Sequence, residues 1–293
     1  MILFTAGKND DGCRVDAFLR RLMPDAPQSL IYKYIRTNKV KLNGKKPKPE
    51  TIIAAGDAIK YFGDAALLSQ KTSAPMKATM PKVLYEDENI VLLYKPAGVA
   101  CQPDRVRTKD TMVDRLRWYL YQSGAFQPEG EHGFAPALCN RLDVNTRGIV
   151  IGAKNMAALR EMNARIKQGE VRKFYLCRVV GKPPKAQGVI RTHLQKDANT
   201  NISRVSDTGK YAETQYRLLS SDAESSLLEI ELITGRSHQI RVHMQSLGCP
   251  IVGDPKYGKG GKGQDLFAYK LQFAFQTPSV ILRAVSGKTF VAP

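Results

Sequence analysis

Between Ala65 and Lys82 the chain loses its hydrophobic periodicity and collects Ser69-Gln70-Lys71-Thr72-Ser73-Ala74-Pro75. A stretch of this kind has no apolar face to bury, so it reads as a flexible linker. The break divides the chain into units that must each close a core of their own. A length of 293 residues allows that: a small unit over 1–64, the linker over 65–82 and a larger unit over 83–293.

In the small unit, Val15, Phe18, Leu19 and Leu22 recur at helical spacing up to Pro24. Leu30, Ile31, Tyr34 and Ile35 mark a second helix, with Ser29 as its candidate N-cap. Asn43-Gly44, set between Val40-Lys41-Leu42 and Lys45, predicts a tight hairpin turn. From Lys33 to Lys48 there are seven basic residues and no acidic one: Lys33, Arg36, Lys39, Lys41, Lys45, Lys46 and Lys48. A charge run is often only a solvated face. Here it straddles a helix end and a turn, so the cations can converge on one phosphate-tracking surface.

The larger unit is rich in strands. Val83-Leu84-Tyr85 and Ile90-Val91-Leu92-Leu93-Tyr94 flank a hairpin turn, and Lys95-Pro96-Ala97-Gly98 makes a bend. Thr111 and Asp114 form a capping box for a helix carrying Met112, Leu116, Tyr119 and Leu120, stopped by Gly124. Gly148 to Ala153 reads as a buried strand, and Met156, Leu159, Met162 and Ile166 as a helix ended by Gly169. Val171 to Val180 is a long strand; Leu228, Ile230 and Leu232 alternate with glutamates in another. Ile240, Met244 and Leu247 predict a helix ending at Gly248.

Three segments carry chemistry. The first is Asn140-Arg141-Leu142-Asp143-Val144-Asn145-Thr146-Arg147-Gly148; on extended chain Arg141 and Asp143 share a face and Leu142 turns away. The second is Lys173-Phe174-Tyr175, and the third runs from Thr234 through Gly235-Arg236-Ser237-His238-Gln239-Ile240-Arg241 to His243. Burial favours a neutral carboxylic acid and an adjacent guanidinium favours the carboxylate, so Asp143 needs an arginine beside it. Arg236 is the candidate. His238, Gln239 and Arg241 are expected to order the Arg236 turn or to touch RNA. Tyr175 is either a packed strand tyrosine or a residue of the pocket. His238 and His243 lack the spacing and the third ligand of a zinc motif, so no metal is expected.

Together these segments resemble the RluA-type pseudouridine synthases, which isomerise uridine within folded RNA. The resemblance runs from Val83 to the C-terminus and includes Lys95-Pro96-Ala97-Gly98 and Gly287-Lys288-Thr289-Phe290-Val291-Ala292-Pro293. Residues Gly12 to Tyr61 resemble the S-four RNA-binding domain. The resemblance implies an α+β fold, with a mixed, largely antiparallel central sheet and flanking helices, plus a small α/β RNA-binding N-terminal domain. It implies Asp143 as nucleophile, Arg236 as its ion-pair partner and Tyr175 stacked on the target base, with a further role in C5 deprotonation. It also implies Arg141 entering the RNA as the base leaves, with Leu142 and Lys173 in support. Such a reaction requires no redox partner, energy source or other cofactor. This chain departs from the pattern at Asn140, where the family has His, at Arg147, where it has Ser, and at Cys177, where Ala is commoner.

Charge supports RNA as the partner: 45 Lys and Arg against 27 Asp and Glu give +18. Large-subunit ribosomal RNA is the expected substrate, with transfer RNA the alternative. The five cysteines are scattered and odd in number, which argues for buried thiols in a reducing compartment. With no signal peptide or membrane span, a cytoplasmic monomer is expected. Two other functions use the same surface. A non-catalytic RNA-binding assembly factor would bind without turnover, and an N-glycosidase would leave abasic RNA.

Overall fold

The computed structural model describes every residue except 69–73, 105–107, 129–130, 132–133 and 198–199. The first elements are β1 (Ile2–Thr5), β2 (Cys13–Arg14), α1 (Val15–Leu22), α2 (Gln28–Arg36), β3 (Val40–Leu42), β4 (Ile52–Ile53) and β5 (Ala58–Tyr61). β5 lies between β1 and β3, and β2 pairs with β4. Phe18, Leu19, Ile31, Ile35, Ile53 and Tyr61 bury the facing sides of both helices and the short sheets. That is the periodic set, with strand residues added.

Asn43 and Gly44 both take positive φ, 51° and 80°, and Leu42 and Lys45 exchange backbone hydrogen bonds of 2.9 Å across them. The turn is the expected one, although its second arm is a single bridge residue and β3 pairs instead with β5. Ser29 is not the N-cap of α2. Pro27, fixed in extended conformation at φ −63°, takes that place, and its carbonyl accepts from Leu30 N.

The segment after β5 is anchored at both ends. Leu67 and Leu68 pack on the first core. The Thr79 amide and hydroxyl both donate to the Asp110 carboxylate, at 2.9 and 2.8 Å. Residues 69–73, the centre of the expected linker, fall outside the described residues.

The remainder builds one large sheet. In chain order come β6 (Lys82–Glu86), β7 (Ile90–Lys95), α3 (Met112–Gln122), β8 (Ala137–Leu138), β9 (Arg147–Ala153), α4 (Met156–Lys167) and β10 (Val171–Val180). Next are β11 (Gln187–Asp197), β12 (Ile202–Val205), β13 (Lys210–Ser221), β14 (Ser225–Leu232), α5 (Gln239–Ser246), β15 (Leu266–Phe273) and β16 (Thr289–Val291). The strand order is β12-β11-β13-β14-β10-β15-β9-β7-β6, with β16 on β15 and β8 on β9. β9 against β15 is the one parallel pairing among the described strands. The chain is therefore α+β with a mixed, largely antiparallel sheet, as expected.

β7 and β9 are apolar on both sides because both sides are covered. Val91, Leu93 and Val150 join a core with α3 and α5, while Ile90, Leu92, Ile149 and Ile151 join a second core with α4. The helix ends follow the local signals. The Thr111–Asp114 box closes on α3, Asn155 caps α4 at Ala158 N, and Gly124, Gly169 and Gly248 stand at positive φ after three helices. Asn9 adds a second cap to α4 from the small unit: its Oδ1 accepts from Met156 N at 2.9 Å. Its Nδ2 donates to Glu131, and Arg160 Nη1 donates to Asp11 O at 2.8 Å.

Gly148 belongs where β9 enters the sheet. Its φ is 133°, and a Cβ there would lie 2.2 Å from the Ala268 carbonyl oxygen. Only glycine allows this parallel approach of β9 to β15.

Candidate active site

Asp143 sits in the loop between β8 and β9, and that loop is gripped by its main chain. The Lys95 ammonium, fully buried, donates to the carbonyls of Val144 (2.7 Å), Thr146 (2.7 Å) and Pro96 (2.9 Å). Burial pushes Lys95 down to about 8, partly offset by neighbouring Cys101 and Asp143. Gly98 N donates to Val144 O. The Cys101 thiol accepts from Leu142 N at 3.3 Å and donates to Leu142 O at 3.4 Å. Thr146 N closes a turn onto Asp143 O, and Gln264 Nε2 holds the Thr146 hydroxyl. The loop is not a strand, yet the expected alternation holds. Leu142 is buried, while Arg141 and Asp143 both line an open cleft of about 370 Å³.

The ion pair is where the sequence reading was wrong. Asp143 Oδ2 accepts from Arg241 Nη1 at 3.1 Å, not from Arg236. Arg241 is the third residue of α5 and faces inward, 6% exposed at the side chain. The turn before α5 carries Arg236 to the surface, where its Nε donates to Tyr211 O at 2.9 Å. Arg236 lines the same cleft without pairing with Asp143.

Arg241 is itself locked. Its Nε and Nη2 form a fork on Asp254, both at 2.7 Å, and Asp254 is fully buried. Burial opposes the Asp254 charge, but the fork and the amides of Lys256 and Tyr257 hold it below the usual carboxylate range. The Tyr257 ring lies against the Arg241 guanidinium, 4.9 Å from its centroid. One guanidinium thus serves two carboxylates, and among the described residues no partner contacts Asp143 Oδ1.

Tyr175, on β10, also lines the cleft. It is buried, and that burial, with the Asp143 charge, pushes its phenol above the ordinary range. Opposite it β15 carries an extra residue, since Phe174 and Leu176 pair with Lys270 and Phe267. Such a bulge bends the sheet beside the cleft. A buried tyrosine thus lies beside an ion-paired aspartate, under a flexed sheet.

A family model described as RNA pseudouridylate synthase matches residues 89–246. Ribosomal large subunit pseudouridine synthase C of Vibrio parahaemolyticus is 32% identical over 282 residues, covering 92% of this chain and 86% of that protein. The protein of the same name from Rickettsia bellii is 34% identical over 296 residues, covering 94% and 91%. The chain belongs to the RNA pseudouridylate synthase family. It is accordingly an isomerase of the pseudouridine synthase class whose substrate is RNA. The solved structure titled human RNA Pseudouridylate Synthase Domain Containing 4 shares the fold, with a TM-score of 0.54 at 24% identity over 69% of this chain and 91% of that one.

Gln239 orders the Arg236 turn: its Oε1 accepts from Arg236 N (3.0 Å) and Thr234 Oγ1 (2.7 Å), and its Nε2 donates to Glu213 O and Thr214 Oγ1. His238 lines the cleft. His243 is buried elsewhere, between the hydroxyls of Thr192 and Thr214, and burial lowers it to about 4. Among the described residues no group of three His, Cys, Asp or Glu is placed to hold a metal.

Lys173 is half-buried outside the cleft, and burial lowers its ammonium. Asn140 does not flank the cleft: its amide holds β9, accepting from Ile151 N and donating to Ile149 O. Arg147 also lies outside, over the Phe267 ring. Lys33, Arg36, Lys39, Lys45 and Lys46 are exposed, and Lys41 is half-buried with its ammonium 5.9 Å from the Phe62 centroid. The sequence reading missed Lys95 as the loop's anchor, along with Cys101, Asp254 and Tyr257. The one available signal was a lysine and a cysteine in otherwise apolar surroundings before and after Pro96-Ala97-Gly98.

Proposed function

We propose that the protein converts uridine to pseudouridine in large-subunit ribosomal RNA, with Asp143 as the nucleophile. The observation that carries this reading is the Arg241–Asp143 ion pair lining a cleft, with Oδ1 left, among the described residues, without a protein partner. Arg241 fixes the direction of the carboxylate, and Oδ1 is presented to ribose C1′. Attack on C1′ breaks the C1′–N1 bond and releases the base as its anion; the base turns, C5 bonds to C1′ as the Asp143–C1′ bond breaks, and C5 then gives up a proton while N1 takes one.

Tyr175 stacks on the everted uracil. Burial and the Asp143 charge raise its phenol, which disfavours it as the acceptor of the C5 proton. Among the described residues Asp143 is the only acidic side chain lining the cleft, and it becomes that acceptor once the base has rejoined and C1′ has released it. Arg141, exposed at the rim, fills the space the base vacates, and Arg236 binds the backbone next to it. Residues 1–64 serve as the RNA-binding module, its exposed lysines tracking phosphates, joined through 65–82 to a catalytic unit over 83–293.

The relatives' names favour ribosomal over transfer RNA. No helix among the described residues is long and apolar enough to cross a membrane. The test is Asp143→Asn. Pseudouridine should vanish from ribosomal RNA while RNA affinity is kept. Persisting pseudouridine, or abasic RNA from the wild type, would refute the reading.

A further inference from the structure

His238 occupies an unusual place. It is the N-cap of α5, with φ 55°, a left-handed conformation that a side chain other than glycine rarely adopts. The conformation is maintained from outside the helix. His238 Nδ1 lies 2.8 Å from the Tyr257 hydroxyl, and that hydroxyl accepts from the backbone amide of Ser203 at 2.7 Å. The two rings meet edge to face, 5.6 Å apart.

The hydrogens in this chain can be assigned. A backbone amide only donates, so the Tyr257 oxygen accepts from Ser203 and has one hydrogen of its own to give. Tyr257 is almost fully buried, and an unpartnered phenol hydrogen there would be costly. It is satisfied by donation to Nδ1, which must then be an acceptor. His238 is therefore neutral, with its proton on Nε2. Burial favours the same neutral form. Among the described residues Nε2 has no partner, and the imidazole lines the cleft with Asp143 and Tyr175.

We propose that His238 reads the uracil, donating from Nε2–H to a pyrimidine carbonyl oxygen before and after the base turns. This rests on the active-site reading given above. The turn that exchanges N1 for C5 also exchanges O2 for O4, so one fixed donor meets a carbonyl oxygen in both orientations. Cytosine carries an amino group in place of O4, and in one orientation would set donor against donor. A neutral donor also strengthens its bond as negative charge spreads onto the carbonyl of the departing base. Leaving such a donor unpaired is what makes a polar site reject the wrong ligand.

The test uses the full-length protein and an RNA fragment carrying uridine, 2-thiouridine or 4-thiouridine at the modified position. Sulfur accepts a hydrogen bond more weakly than oxygen. The wild type should slow on both thio substrates. His238→Phe should lose about 10- to 100-fold in kcat/KM on uridine with RNA affinity unchanged, and should no longer distinguish sulfur from oxygen. Unchanged kcat/KM in His238→Phe, or equal thio sensitivity in variant and wild type, overturns the proposal. Nitrogen-15 spectra of the wild-type imidazole provide a check that needs no variant: a proton on Nδ1 rather than Nε2 overturns it as well. Pseudouridine formed by Asp143→Asn would instead refute the active-site reading itself, which separates the two failures.

Discussion

Replacing Arg241 with Met tests the ion-pair assignment and can be worked through from the geometry. The substitution removes the fork on Asp254, whose side chain is 0% exposed, and leaves that carboxylate with only the amides of Lys256 and Tyr257. Breaking a buried pair from one side costs about 3–5 kcal/mol. For a unit of this size each kcal/mol moves the melting temperature by roughly 2–4 °C, so a fall of roughly 6–20 °C is expected. Arg236→Met removes one bond from an exposed guanidinium to Tyr211 O and should cost about 1 kcal/mol or less. The double variant Arg241→Met, Asp254→Leu removes both buried charges and should recover most of the lost stability. It should stay inactive, because Asp143 still lacks its partner. Thermal unfolding and release of tritium from C5-labelled RNA read the two effects separately. A stable, active Arg241→Met beside an inactive Arg236→Met would refute the assignment and restore Arg236 as the partner.

Three further outcomes follow from other parts of the molecule. Gly148→Ala would set a Cβ 2.2 Å from Ala268 O, so soluble yield and melting temperature should both collapse; a variant that melts within a few degrees of wild type would contradict the parallel β9–β15 approach. His243 is lowered to about 4 in the fold, against about 6.5 unfolded. As pH falls from 6.5 to 4 the unfolded chain takes up a proton that the fold refuses, so stability drops through that window. His243→Gln should flatten this slope in pH-dependent denaturant unfolding. Changing Lys39, Lys45 and Lys46 together to Gln should reduce the slope of log affinity against log salt by about 2–3 and leave kcat at saturating RNA unchanged.

Much of the architecture was readable because local and global preferences agree. The capping box at Thr111, the Asn43-Gly44 turn, the Leu228–Leu232 alternation and the doubly apolar β7 and β9 all mean locally what they become in the fold. β11 and β12 went unread because their side chains are largely exposed, which erases the apolar period that marks a half-buried strand, and β13 because the alternate residues it buries, Ala212, Thr214 and Tyr216, are small or polar-bearing rather than a run of large aliphatics. At the site, Asp143 and Tyr175 were legible from their neighbours in sequence. The choice between Arg236 and Arg241 was not. It depends on where α5 begins and which way its first turn faces, and the deciding partner, Asp254, lies thirteen residues farther on in a loop with no period at all.

The grip on the Asp143 loop falls on peptide groups: the Val144 and Thr146 carbonyls by Lys95, the Val144 carbonyl again by Gly98, and both polar atoms of the Leu142 backbone by Cys101. Anchors of this type are blind to side-chain identity. Val144 is exposed and Asn145 half-exposed, so a replacement at either should leave the carboxylate where it is. The rim can then be rewritten to suit a different RNA while the Asp143 carboxylate stays in place, which separates evolving a new target from preserving the geometry of the cleft.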